Sequence, residues 1–390
     1  MIEDIRIENL SAFGELDISL SPRVNVIIGS NGTGKTHLLK AIYALALVGQ
    51  PQPNDEHAKE NVAADVTGKL LRLFAPDEKR IGTLRTNGSA TPTRLCLRGS
   101  DDEKVEISFG SRSNAARIEN DVRPMGNEAR PVFIPAKEVL SLVRGMSHPD
   151  YDRATVEMIF DDTYVDLAEL LVRPGFEDEA SRLNEDPRLS TIVRELVGIV
   201  GGRYRWMKDG ALRFEPGHYQ EIASPTRSRS KAAQAYQDTT VTRFVPKGRQ
   251  SLSSSMTAEG YRKIGMLHRL LCNGSLNPGV TGVLLWDEPE ANLNPKLMKR
   301  LVQVLLELSR NGQQIVLATH DYVLLKWLDL LVDQGKDDHV RFHSLFRDEA
   351  GKVVVDSVED YRALSPNALA DTFNELTKEQ VIRKMGSLGR

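Results

Sequence analysis

Cysteine is almost absent from this sequence, with Cys96 and Cys272 the only two in 390 residues. Two isolated thiols supply neither a disulfide framework nor a zinc-binding set, which agrees with a reducing compartment. Long apolar runs are missing too. The longest, near Ala41–Val48, falls well short of the roughly 20 residues a membrane-spanning helix needs. The opening Met1-Ile2-Glu3-Asp4 is acidic and lacks the basic residues and apolar run of a secretory leader, so a cytoplasmic location with no membrane partner is expected. Nor is there an excess of one charge. With 51 Lys and Arg against 54 Asp and Glu, the net charge is −3, and nothing global points to nucleic acid. Locally, residues 201–250 hold ten basic residues and four acids, a stretch that can meet phosphates or coat a solvated loop.

What is present is the composition of a folded protein. Hydrophobic residues at 40% and charged residues at 27% argue against disorder. The length allows one large domain with an insertion, or two domains. Alternation at Ile5–Leu10 and Leu16–Leu20 predicts two strands around the turn Ala12-Phe13-Gly14, and Val24–Ile28 a buried third. Helical spacing follows from His37 to Leu45, before Pro51 and Pro53. Residues 54–131 turn polar, with short strand-like runs at Leu95–Leu97 and Val105–Ile107, and predict an irregular, strand-rich flank. Pro131–Pro135 reads as a core strand, with a helix starting at Ala136–Leu140. Helical segments are predicted near Val165–Leu171 and Ser190–Val200, and Lys208-Asp209-Gly210 predicts a hairpin turn. Strand-length runs at Val280–Trp286 and Gln314–Ala318 flank an amphipathic helix over Leu297–Leu308, and a last helix is expected near Ala368–Arg383.

Between the third strand and its helix lies Gly29-Ser30-Asn31-Gly32-Thr33-Gly34-Lys35-Thr36, which satisfies every fixed position of a phosphate-binding loop. Gly29, Gly32 and Gly34 let the backbone turn its N–H groups around phosphates, Lys35 adds charge, and the Thr36 hydroxyl can ligate Mg²⁺. The helix N-terminus behind them favours an anion. ATP and Mg²⁺ are the expected ligands. Val283-Leu284-Leu285-Trp286-Asp287-Glu288 then ends a buried strand in two acids, Asp287 to hold the metal and Glu288 to polarise the attacking water. Gln314–His320 is another buried strand, one crossover further on, ending in a histidine that can donate to the γ-phosphate.

Together these residues resemble the ABC-type ATPases of the SMC, RecF and OLD lineage. Asp287–Pro295 is similar to that family's Walker B acids running into its D-loop, which adds Asn292, and Ala318–Asp321 to its switch-histidine segment. The resemblance covers the first 45 residues and about 250–325. It implies an α/β P-loop ATPase head with a mixed central sheet, a strand-rich N-terminal flank and an inserted helical and hairpin subdomain. The expected segments are a core N-terminal lobe over 1–53, the flank over 54–135, the insertion over 136–250 and the C-terminal lobe over 251–390.

The resemblance further implies ATP hydrolysis with Lys35, Glu288 and His320 as catalytic residues, Thr36 and Asp287 on the metal, and residues Gly29–Thr36 with His37 around the nucleotide. Two heads would sandwich ATP, giving a homodimer or higher oligomer, each completing the other's site with a signature segment at a helix N-terminus. Here that segment is Thr257, Glu259 and Gly260, or else Ser253–Ser255. Lys137 and Glu138 are the polar residues available for coupling the ATP site to the insertion. No heptad run spans 54–250, unlike an SMC protein, and 70 residues follow His320, too few for an OLD Toprim nuclease domain. The expectation is an ATPase that controls a separate effector, such as a nuclease, in bacterial antiviral defence. The alternative is a RecF-like clamp on duplex DNA.

Overall fold

A computed structural model describes residues 1–48, 58–119, 122–123, 130–146, 153–174, 183, 185–207, 209–223, 240–248 and 250–388. The first strands alternate as their sequence demands. β1 (Ile2–Leu10) and β2 (Phe13–Ser19) pair antiparallel and turn Ile5, Ile7, Leu16 and Ile18 inward. β3 (Val24–Gly29) is buried at every position, as a central strand covered on both faces must be. It leads into the helix Lys35–Ala46.

β4 (Thr93–Gly99), β5 (Lys104–Phe109) and β6 (Arg117–Ile118) extend the first pair into an antiparallel sheet ordered β2–β1–β4–β5–β6. Its inner face shares a core with Leu38, Leu39 and Ile42 of the helix Lys35–Ala46. The flank is less strand-rich than its polarity suggests, because Ala58–Phe74 is a 17-residue helix. Its buried Val62, Val66, Leu70 and Leu73 recur at helical spacing within a polar sequence.

β7 (Val132–Ile134) is the expected core strand, but no helix begins at Ala136. The chain there forms turns, and helix appears only at Val143–Met146. The reason is tertiary. Glu138 accepts from the Ser141 backbone at 3.0 Å and pairs with Arg262 at 2.8 Å, while the Val139 N–H donates to Met266 Sδ. Short helices at Arg153–Glu157 and Asp162–Val172 precede the amphipathic helix Pro187–Val200.

β8 (Gly202–Trp206), β9 (Leu212–Ala223), β10 (Thr240–Pro246) and β11 (Leu252–Ser253) form a small separate sheet. The hairpin is present, though among the described residues of its turn Gly210 alone takes a positive φ, 72°, and the turn is closed by the Met207 N–H donating to Ala211 O at 2.9 Å. Lys208 lies outside the described residues.

The central sheet is completed by β12 (Leu284–Asp287), β13 (Ile315–Ala318), β14 (Val340–Arg347) and β15 (Val353–Val358), in the order β15–β14–β3–β13–β12–β7. All neighbours are parallel except β15, which runs antiparallel to β14. Parallel neighbours need crossovers. The helix Pro295–Arg310 supplies the one between β12 and β13, capped by the Asn294 side chain. The helix Glu259–Cys272 leads towards β12, Tyr322–Leu331 leads from β13 towards β14, and Ala368–Leu388 ends the described chain. No helix of the described residues is long and apolar enough to cross a membrane.

Partly buried polar pairs tie the helices Lys35–Ala46 and Ala58–Phe74 to the middle of the chain. Lys40 pairs with Asp161 at 2.8 Å, Lys69 with Asp162 at 2.7 Å, and the Tyr43 hydroxyl donates to Asp166 at 2.7 Å. Such pairs fix geometry more than they add stability, yet removing one partner strands the other.

His343 on β14 is fully buried, hydrogen bonded to Ser357 and near Asn25 Oδ1, and burial pushes its pKa down to about 3. Its unfolded value is near 6.5, so its contribution is complete above that pH and is lost as pH falls towards 3. Stability attributable to this residue should therefore fall by about 1.4 kcal/mol per pH unit below pH 6. Urea unfolding of wild type and His343→Gln between pH 7 and 5 checks this, and the variant should show the shallower decline.

Candidate nucleotide-binding site

Strand register decides which chain segments meet. Asp287 sits opposite Ala318 and Ala318 opposite Ile27, so three strands release their chains at one edge of the sheet. Gly29 leaves β3 there, Glu288 follows β12, and Thr319-His320 follow β13. Ligands of open α/β sheets bind at such carboxyl ends.

The loop needs its glycines for distinct reasons. Gly29 has φ 152°, and a Cβ there would meet the Leu345 carbonyl oxygen at 2.4 Å. Gly34 has φ 93° at the helix N-cap, and a Cβ would strike the Phe13 ring at 2.6 Å. Thr33 closes the loop internally through Oγ1 to the Ser30 carbonyl at 2.9 Å, leaving Ser30, Asn31 and Gly32 exposed. The Lys35 amine is drawn in, donating to Gly29 O at 2.7 Å and Ser30 O at 3.3 Å. Burial lowers its pKa, against the pull of Glu288, Asp287 and Glu290. The His37 ring is engaged by Ser11 Oγ at 2.6 Å and tilted on Phe74, which gives it a packing role.

Thr36 and Asp287, far apart in sequence, are in direct contact, the Thr36 hydroxyl donating to Asp287 Oδ2 at 2.8 Å. Asp287 is 5% exposed, burial raises its pKa, and its Oδ1 is buried without a hydrogen-bond partner. A hydroxyl beside an orphaned carboxylate oxygen is a donor set that fits a hard divalent cation such as Mg²⁺. Among the described residues no cluster of three or more His, Cys, Asp or Glu side chains is arranged for a metal, so the ion's other ligands would come from phosphate and water.

Glu288 occupies the left-handed region at φ 47°, a conformation that costs a non-glycine residue roughly 1–2 kcal/mol. Its main chain is held on both sides. The N–H donates to Ala318 O at 2.8 Å, and the carbonyl accepts from the amine of Lys263, which also donates to Ala136 O at 2.7 Å. Lys263 is 1% exposed, and burial pushes its pKa down to about 8 despite Glu290, Glu288 and Asp287 nearby. The Glu288 side chain remains accessible, and its Oε1 lies 3.2 Å from Nδ1 of half-exposed His320.

The residues at the start of the helix Glu259–Cys272 make other contacts. Thr257 bonds Tyr204 at 2.7 Å and Ser254 O at 2.7 Å. Glu259 accepts from Asn292 at 2.8 Å, and Gly260 packs where a Cβ would meet the Asn292 carbonyl at 2.4 Å. Of the alternative serines, Ser253 and Ser255 are exposed and bonded to each other, while Ser254 is buried. Glu138 is occupied by Arg262 and Ser141, so it ties its turn to this helix, and Lys137 is exposed. Sequence patterns passed over Lys263 and Glu290. The run Asp287-Glu288-Pro289-Glu290 offered a signal for the latter.

A phosphate loop on β3, an acid pair after β12 and a histidine after β13, all at one edge of a mixed sheet, give the chain the fold of a P-loop ATPase head of the ABC type. Two family models match the chain. One is described as "AAA domain, putative AbiEii toxin, Type IV TA system" and matches residues 158–326, and the other, "AAA domain", matches 4–142. Among curated proteins, the DNA replication and repair protein RecF of Renibacterium salmoninarum is 30% identical over 157 residues, covering 40% of this chain and 31% of the relative. RecF of Lacticaseibacillus casei is 36% identical over 162 residues, covering 41% and 37%. The matched region thus spans about a third of these relatives' length. Among solved structures, an SMC head domain from Thermotoga maritima aligns at TM-score 0.46 and 12% identity, covering 92% of this chain and 99% of that one. An SMC head bound to the C-winged helix domain of ScpA aligns at 0.47 and 14%, covering 93% and 98%. The chain is thus similar to AAA-domain proteins over residues 4–142 and 158–326, and to RecF over part of RecF's length.

Proposed function

We propose that this chain binds ATP with Mg²⁺ on the loop Gly29–Thr36, hydrolyses it at Glu288, and closes against a second copy when ATP is bound. The observation that carries the proposal is the Thr36–Asp287 contact with its unpartnered second carboxylate oxygen. Thr36 and Asp287 would hold the metal, which supplies charge neutralisation at the phosphates. Lys35, already at the loop, adds a fixed positive charge. Glu288 orients and polarises the attacking water, and its proximity to His320 joins the base to a donor for the γ-phosphate. Exposed Glu259 and Asn292, already joined to each other, form the face offered to the second copy, with Thr257 half-buried and Gly260 packed behind them.

ATP-driven closure would be an assembly signal that a separate effector reads, in keeping with a bacterial antiviral ATPase subunit. The description matched by residues 158–326 names a Type IV TA system, which favours a chain that works with a second protein. The second reading is a clamp on duplex DNA, favoured by the RecF relatives. The basic stretch supports it less than its count suggests. Arg203 and Arg205 pair with Glu215, and Arg213 with Asp209, while Arg227, Arg229 and Lys231 lie outside the described residues.

Duplex DNA affinity, measured with and without ATP across a salt series, separates the two. Under the effector reading, ATP changes DNA affinity by less than about threefold and the salt slope is shallow. An ATP-dependent gain of two orders of magnitude, with a steep slope that flattens on neutralising Arg227, Arg229 and Lys231, would establish the clamp instead.

A further inference from the structure

Glu290 stands outside every role assigned above. It is 7% exposed, and burial raises its pKa against hydrogen bonds from its own N–H, from Thr319 and from His320. Its Oε1 accepts from the Thr319 hydroxyl at 2.7 Å and from the His320 main-chain N–H at 3.3 Å, and its Oε2 is buried without a partner. Thr319 is itself fully buried and accepts from the Asp321 N–H at 3.0 Å, and Asp321 caps the next helix through the Leu324 N–H at 2.7 Å. The backbone on both sides of His320 is therefore anchored, while its ring is half exposed. That ring has Nδ1 3.2 Å from Glu288 Oε1 and 4.0 Å from Glu290 Oε1.

A buried carboxylate is a costly way to fill space, and a neutral or apolar residue of similar size would serve packing alone. Two of the hydrogen bonds of this one go to the two residues that present the histidine. We propose that Glu290 is a positioning residue for ATP hydrolysis, acting through Thr319 and the His320 backbone to hold the imidazole against Glu288. The inference rests on the reading of Glu288 and His320 as the hydrolytic pair. Glu290 reaches the loop only through its charge, which acts on Lys35 beside the larger pull of Glu288 and Asp287, and its hydrogen bonds run to Thr319 and His320, so its loss should act on turnover far more than on binding.

The test compares Glu290→Ala and Glu290→Gln, each made in wild type and in His320→Ala, with ATP affinity measured beside kcat. Glu290→Ala should lower kcat roughly 10- to 100-fold at unchanged ATP affinity, as losses of residues that orient an active group do. Glu290→Gln retains an acceptor oxygen and should recover most of the rate. In the His320→Ala background, Glu290→Ala should add less than about twofold. Hydrogen exchange of a peptide covering Thr319 and His320, followed without nucleotide, should quicken in Glu290→Ala and stay slow in Glu290→Gln. If Glu290→Ala fails to fold, Thr319→Val, which removes the hydroxyl donor, should lower kcat in the same way and likewise add little without His320. Losses that multiply with His320→Ala, a fall in ATP affinity matching the fall in kcat, or unchanged exchange would overturn the inference. A wild-type protein that hydrolyses no ATP would instead overturn the functional reading beneath it.

Discussion

Replacing Glu288 with Gln is expected to lower kcat for ATP hydrolysis by roughly 10²- to 10⁴-fold, the usual contribution of a positioned general base. The amide keeps the shape and can still contact His320 Nδ1, 3.2 Å away, so what is removed is basicity. The backbone that presents it is fixed by Ala318 and Lys263 and does not depend on the side chain. ATP affinity should therefore change by less than about threefold, and the variant should accumulate in its ATP-bound, closed form. Steady-state turnover beside equilibrium binding of a fluorescent ATP analogue gives both numbers. A loss confined to affinity would assign Glu288 to binding.

Lys35→Met should produce the opposite division. The amine rests on two loop carbonyls, and in the proposed function it is the loop's own positive charge for the phosphates. Hydrogen bonds to charged groups contribute roughly 1.5–3 kcal/mol, so affinity should fall by at least 10- to 150-fold. Burial already lowers the pKa of this amine, which means the charged form is held at a cost, and an apolar side chain of similar reach relieves it. Thermal stability without nucleotide should accordingly stay within about 1 kcal/mol of wild type or rise slightly. Calorimetric titration with Mg-ATP and a parallel melting curve check the pair of outcomes. A variant that binds normally would place the phosphates elsewhere.

Much of this was legible locally. The phosphate loop, the apolar strand ending in Asp287-Glu288 and the crossover to His320 are contiguous patterns whose spacing implies one sheet edge, and the parallel register brings them there. The helix Ala58–Phe74 was hidden because its polar residues outnumber its four core positions, although the spacing of Val62, Val66, Leu70 and Leu73 carried the signal. The expected helix at Ala136 failed for a reason no local pattern holds. Glu138 is claimed by Arg262, more than a hundred residues away. Lys263 and Glu290 escaped for a similar reason. A lysine in an amphipathic helix reads as solvated until Ala136 and Glu288 carbonyls are found around it. An acid after a proline reads as a turn until Thr319 and His320 close over it.

The positive φ of Glu288 and the orphaned oxygens of Asp287 and Glu290 mark where local preference yields to the site. These departures lie at one sheet edge, around the residues proposed to carry the chemistry, whereas the central sheet elsewhere is packed mostly from apolar runs, with Asn25 on β3 and His343 on β14 among its buried polar exceptions.

Specific ATPase activity, measured with saturating Mg-ATP as the protein concentration is raised from nanomolar to micromolar, tests the central claim most directly. A head that hydrolyses ATP only when a second copy supplies the facing segment should show specific activity rising with concentration and levelling off as the dimer forms. Specific activity that is constant across that range would contradict closure against a second copy. No turnover at any concentration would contradict the assignment of Glu288.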